Sequence, residues 1–214
     1  MKSSTLTLLL LSFGITSGLY GQFTQLELFT SLDKTTFNLY SNHLLNVEKT
    51  LTLATLGFFE HYRSEENRDF SEAGIQPTLF WNFSKNFSIG PSLYYNSNAG
   101  LAQRLSARYV FKNERLLIVI IPSVGHYQQK KIIYAETFAQ FQLNVPIRQS
   151  LSFRVNGQFL NVWDAFTIHS RSFQQLRSGF SFNRHQLGLG LDMDRYGAPA
   201  DRVNTIGIYY RTIL

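Results

Sequence analysis

The chain has 214 residues, 44% of them hydrophobic and 15% aromatic, with a formal net charge of +6. It contains no cysteine, which excludes a disulfide scaffold, a thiolate metal site, a cysteine nucleophile and a lipid-modified cysteine behind a leader. The length suits a single domain.

Met1 to Ser4 is short and carries one positive charge, on Lys2. Leu6 to Ile15 is mostly apolar, with consecutive leucines from Leu8 to Leu11, and Thr16 to Gly21 is rich in small residues. This is the order of a secretory signal. The apolar run is too short for a membrane helix, which needs roughly 20 residues. A cut after Gly21 leaves Gln22 first, and a cut after Gly18 is the alternative. The expected division is a signal peptide over 1–21 and one β-barrel domain over 22–214. A buried N-terminal helix is the competing reading.

Beyond the leader the pattern is alternation. Leu187, Leu189, Leu191 and Met193 interleave with Gln186, Gly188, Gly190, Asp192 and Asp194. Leu151, Phe153, Val155 and Phe159 interleave with Ser152, Arg154, Asn156 and Gln158. Strand side chains alternate between faces, so each segment has an apolar and a polar side. Such segments fall near 23–32, 35–43, 47–61, 70–84, 86–96, 100–112, 114–126, 131–145, 148–162, 171–183, 185–195 and 202–214. They predict about twelve strands, most meeting the roughly 9–11 residues that a tilted strand needs to cross a bilayer. If the first hairpin fails, about ten remain, still an even number as bacterial barrels require.

Tight polar connections at 84–86, 112–114, 146–149 and 183–185 alternate with mostly longer ones at 61–70, 127–131, 163–170 and 195–202. Short turns on one side and longer loops on the other describe a closed antiparallel transmembrane β-barrel, with the short turns periplasmic and the loops extracellular. The apolar parity carries Leu79, Trp81, Leu105, Phe141, Phe180 and Ile208, without charge. The opposite parity carries Glu27 and the candidate lumen-lining residues Arg104, Arg108, Glu136, Arg154, Arg177, Asp192, Asp194 and Arg211. A charge facing lipid near the midplane costs roughly 2–4 kcal/mol, so a bilayer imposes this segregation. A two-residue turn at Arg184-His185 places Asp192 opposite Arg177. Aromatic residues gather near strand ends, as in interfacial girdles. Pro77, Pro91 and Pro122 fall inside strands and predict bulges. Leu116 to Ile121 is apolar on both parities. That predicts either an inner face packed on a plug or a shifted register.

The last segment, Thr205 to Leu214, is similar to the C-terminal signal read by the barrel assembly machinery. Thr205, Gly207 and Tyr210 fit it, whereas Thr212 stands where an apolar residue is expected and Leu214 replaces the commoner phenylalanine. Over nearly its whole mature length the chain resembles the small, porin-like outer-membrane β-barrels of Gram-negative bacteria. The resemblance implies an exported protein of the cell outer membrane, with membrane lipids around it and the assembly machinery as a partner during insertion. No cofactor is expected.

The expected function is a narrow channel for a small, anionic solute. The alternative is a structural or partner-binding barrel whose lumen is plugged by ion pairs, as neutralising inner charges would suggest. A soluble β-sandwich also segregates charge and stays in view. The lipid hydrolases and deacylases among outer-membrane barrels carry a histidine and a serine two apart on one strand face. None of His43, His61, His126, His169 and His185 has such a serine, and His169 and Ser170 are adjacent and face opposite ways if extended. No catalytic residue and no metal-ligand cluster is expected, nucleic acid is not expected as a partner, and the sequence does not specify an oligomeric state.

Overall fold

A computed structural model describes residues 23–197 and 201–214. The signal-peptide reading lies outside the described residues. The chain forms twelve antiparallel strands: β1 (Phe23–Ser31), β2 (Lys34–Leu44), β3 (Leu51–Tyr62), β4 (Glu72–Asn82), β5 (Phe87–Asn96), β6 (Gly100–Lys112), β7 (Leu116–Tyr127), β8 (Ile132–Arg148), β9 (Leu151–Asp164), β10 (Ile168–Phe182), β11 (His185–Tyr196) and β12 (Asp201–Ile213). Each strand pairs with the next, and β1 pairs with β12, which closes the barrel. The seam aligns Glu27 with Arg211 and Phe29 with Tyr209. Closure leaves no unpaired strand edge.

Alternation dictates which way each side chain points, and the polarity is inverted relative to a protein in water. Leu187, Leu189, Phe180, Ile206 and Ile208 lie exposed on the outer wall, while Glu27, Lys34, Arg177, Asp192, Asp194 and Arg211 are buried inside. Gly179 and Gly188 are direct partners across β10 and β11. A Cβ on Gly179 would lie 2.2 Å from the Leu187 carbonyl oxygen, and one on Gly188 would lie 2.1 Å from that of Ser178. Only glycine permits that approach.

One end of the barrel holds the connections 45–50, 83–86, 113–115, 149–150 and 183–184, together with Phe23 and Leu214; this is the turn end. The other, the loop end, holds 32–33, 63–71, 97–99, 128–131, 165–167 and, among the described residues beyond β11, Gly197. Several strands run further into the expected loops than alternation alone suggested. Ala165 (φ 49°), Phe166 (φ 64°) and Lys131 (φ 53°) take left-handed backbone that makes tight reversals. The long loop is 63–71, which contains a 3-10 turn at Arg68–Phe70. At the turn end β3 starts later than expected. Asn46 Oδ1 accepts from the Leu51 amide at 2.9 Å and fixes residues 46–50 as a turn.

The β10–β11 turn is Asn183-Arg184, not Arg184-His185, with Asn183 left-handed at φ 53°. The register therefore slides by two, pairing Arg177 with Gly190 and Gln175 with Asp192. A slide of two preserves the faces. The bulges are elsewhere than at Pro77, Pro91 and Pro122: between His169 and Arg171, and between Pro146 and Arg148. Pro77, Pro91 and Pro122 face outward and interrupt the ladder instead. β4 and β5 pair only at Gly74, Ile75, Thr78, Trp81 and Asn82, because proline brings no N–H to the seam. Leu117, Val119 and Ile121 do face inward, opposite Gln142, Gln140 and Phe138, so the register at β7 stands and one lumen strip is apolar.

Candidate functional site: the barrel lumen

All eight residues singled out for the lumen lie on inward parity, and their surroundings divide them into three groups. The first group is an ion-pair network on β10, β11, β12 and β1. Arg177 Nε donates to Glu27 Oε1 at 3.0 Å and its Nη1 to Asp192 Oδ1 at 2.5 Å. Arg211 Nε donates to Glu27 Oε2 at 2.8 Å. Asp192 and Asp194 then share Lys34 Nζ, at 3.1 and 2.7 Å.

The second group is Arg104 with Glu136, an ion pair between β6 and β8. Arg104 also donates to Gln76 Oε1 at 2.7 Å and lies between the rings of Tyr94 and Tyr134, 5.2 and 5.8 Å from their centroids. Ala102, Tyr127, Tyr134 and Val162 pack as a small apolar core beside it.

Arg108 and Arg154 form the third group, and among the described residues neither meets a carboxylate. Arg108 donates to Ser88 Oγ at 2.9 Å and Asn82 Oδ1 at 3.1 Å, and its guanidinium stacks 4.0 Å over Phe80. Arg154 Nε donates to Asn144 Oδ1 at 3.0 Å. Both arginines lie toward the turn end, near the ends of β6 and β9.

Sequence reading missed the loop end of the lumen. Lys34, fully buried, also binds Glu60 Oε2 at 3.0 Å. Arg171 on β10 pairs with Glu72 on β4, across the lumen from it in the strand order, and lies 3.6 Å from Glu60. Tyr62 Oη donates to Asp194 at 3.2 Å, and Tyr196 Oη donates to Glu60 at 3.1 Å. Phe70 of the long loop stacks on Tyr196 at 4.3 Å and meets Tyr62 edge-on at 6.3 Å. Charges and rings thus form a layer across the mouth. Parity carried through Thr36 and Thr52 to the strand ends would have marked Lys34 and Glu60 as inward.

Between the layer and the turn end the lumen is not filled. Leu56 faces inward, opposite Tyr40 and Gln76, yet remains 37% exposed. The inner faces of β8, β9 and β10 present Gln140, Gln142, Asn156, Gln158 and Gln175 side by side. Neither amide atom of buried Asn156 has a protein partner. This wall offers both donors and acceptors.

No protein-family model matches the chain, and no curated protein matches it significantly. Solved structures similar to it include an outer membrane channel from Pseudomonas putida F1, at 12% identity and TM-score 0.48, covering 90% of this chain and 94% of that one. The KdgM porin is 9% identical with TM-score 0.48, covering 88% and 98%. LpxR from Salmonella typhimurium is 9% identical with TM-score 0.45, covering 89% and 99%. At this level the likeness gives no residue correspondence.

Proposed function

We propose that this barrel stands in a bacterial outer membrane as a narrow conduit for small anionic solutes. The apolar outer wall supports the membrane placement. The leader and the C-terminal strand support export and insertion by the assembly machinery, with the turn end in the periplasm. The observation that carries the conduit is the pair Arg108 and Arg154. Most other inner charges are neutralised by a partner, whereas these two keep their field for whatever enters. The amide-lined wall supplies a polar path beside them.

Single-channel conductance across a planar bilayer with a salt gradient tests the proposal. Reproducible steps with anion preference are expected, and Arg154→Glu shifts the reversal potential toward cations. Silence from protein shown to be folded and inserted overturns it. The Lys34 network favours a second reading, a braced barrel with a closed mouth. On that reading Arg154→Glu lowers stability and no current is seen in either form.

A further inference from the structure

Near the loop end the outer wall of β9 to β12 carries Asn161, His169, Ser172, Arg195 and Arg202, polar residues unusual on a wall facing lipid. The β-bulge in β10 explains one consequence. Trp163 pairs with His169 and Val162 with Arg171, so Ser170 is an extra residue. In an unbroken strand, residues three apart face opposite ways. The bulge resets the parity and puts His169 and Ser172 on the same outer face.

There the two side chains meet: His169 Nε2 lies 3.2 Å from Ser172 Oγ, and His169 Nδ1 lies 2.8 Å from the Gly197 carbonyl oxygen. A carbonyl only accepts, so Nδ1 carries the proton and Nε2 is left to accept from the serine hydroxyl. Gly197 is itself fixed to the bulge, its amide donating to the Ser170 carbonyl at 2.9 Å. Trp163 holds the other side of the imidazole, edge to face at 5.6 Å. Nucleophile, base and an orienting acceptor therefore stand in series.

The row through Ser172 carries the remaining parts. Asn161 on β9 and Arg195 on β11 are its cross-strand partners, and Arg202 on β12 follows Arg195. All three are exposed. Cross-strand Cβ atoms stand roughly 4.5–5.5 Å apart, so an amide donor and a guanidinium flank the hydroxyl. Two adjacent arginines on the outer wall suit a lipid phosphate.

We propose that Ser172 and His169 form an esterase site on the outer wall, acting on acyl esters of phosphate-bearing membrane lipids. Ser172 Oγ attacks the ester carbonyl carbon while its proton passes to His169 Nε2, and the carbonyl electron pair moves onto oxygen beside the Asn161 amide. Collapse breaks the bond to the alcohol oxygen, which takes the proton from Nε2, leaving the acyl group on Ser172. Water then attacks the acyl carbon, giving its proton to Nε2; the bond to Oγ breaks, Oγ recovers the proton, and a fatty acid departs. Arg195 and Arg202 hold the headgroup phosphate.

The test uses the full protein in detergent micelles, with fold checked by heat-dependent gel migration. A fluorophosphonate probe is expected to form an adduct on Ser172, mapped by mass spectrometry. His169→Ala lowers the labelling rate by about 100-fold, the range of positioned base catalysis. Fatty acid release from phosphatidylglycerol in mixed micelles is expected and is lost in Ser172→Ala. Arg195→Gln raises KM for phosphatidylglycerol but not for diacylglycerol. No adduct on Ser172 in folded protein, or release unchanged in Ser172→Ala, overturns the proposal. The site faces away from the lumen and does not depend on conduction. Current without labelling refutes the esterase alone, and labelling without current refutes the conduit alone.

Discussion

Lys34 shows how much one inward residue decides. It is fully buried and is the shared cation of Glu60, Asp192 and Asp194. Removing one member of a buried ionic cluster leaves uncompensated charge, at a cost of about 3–5 kcal/mol. Lys34→Met is therefore expected to lose about that much in urea unfolding from lipid vesicles, with part of it restored by adding Asp194→Asn. A loss under 1 kcal/mol would mean that solvent reaches these carboxylates. The face of a residue was legible wherever alternation ran unbroken, as at Arg104, Arg177 and Asp192. Its partners were not, because they depend on strands distant in sequence: Lys34 and Asp194 are 160 residues apart. Lys34 itself, beside Asp33, had the local character of a turn. The meeting of His169 with Ser172 was illegible for a sharper reason, since an inserted residue breaks the period on which parity reasoning depends.

At the scale of elements, strand centres were legible and strand ends were not. Alternation fixes a centre, but an end is decided by local competition such as the capture of Leu51 by Asn46. The loop 63–71 shows the limit most clearly. Arg63, Glu65, Glu66, Arg68 and Asp69 suit solvent, yet Phe70 leaves solvent to stack on Tyr196 within the layer of Tyr62, Glu60 and Arg171. A parallel ring pair adds about 0.5–1.5 kcal/mol beyond its buried area, so the loop is fastened lightly. Phe70→Ala is expected to release it and raise single-channel conductance with stability lowered by no more than a few kcal/mol, as for other aromatic truncations. Unchanged conductance in the variant would place the narrowest point deeper, beside Arg104 and Glu136. The seam between β4 and β5 is the other soft element, where Pro77 and Pro91 thin the ladder.

For the whole molecule the deciding property is polarity turned inside out, and it separates a membrane barrel from the soluble sandwich that composition alone allowed. The twelve strands and their order were legible because each strand repeats the same segregation of charge. What fills the lumen was not, because closure brings opposite walls together. The two surroundings predict opposite outcomes for a charge placed on the outer wall. Leu189, in the middle of β11, is 65% exposed, and Ile133, facing outward at the loop end of β8, is 51% exposed. In water, arginine at either exposed position changes stability by only about 0.5 kcal/mol. In a bilayer the cost depends on depth, roughly 2–4 kcal/mol at the midplane and 0–1 near the interface. Leu189→Arg is accordingly expected to destabilise the protein folded in vesicles by roughly 2–4 kcal/mol, and Ile133→Arg by less than about 1 kcal/mol. Equal, near-zero costs at both positions would return the chain to water, and with it the Arg154 conduit and the lipid substrate of Ser172 would fall together.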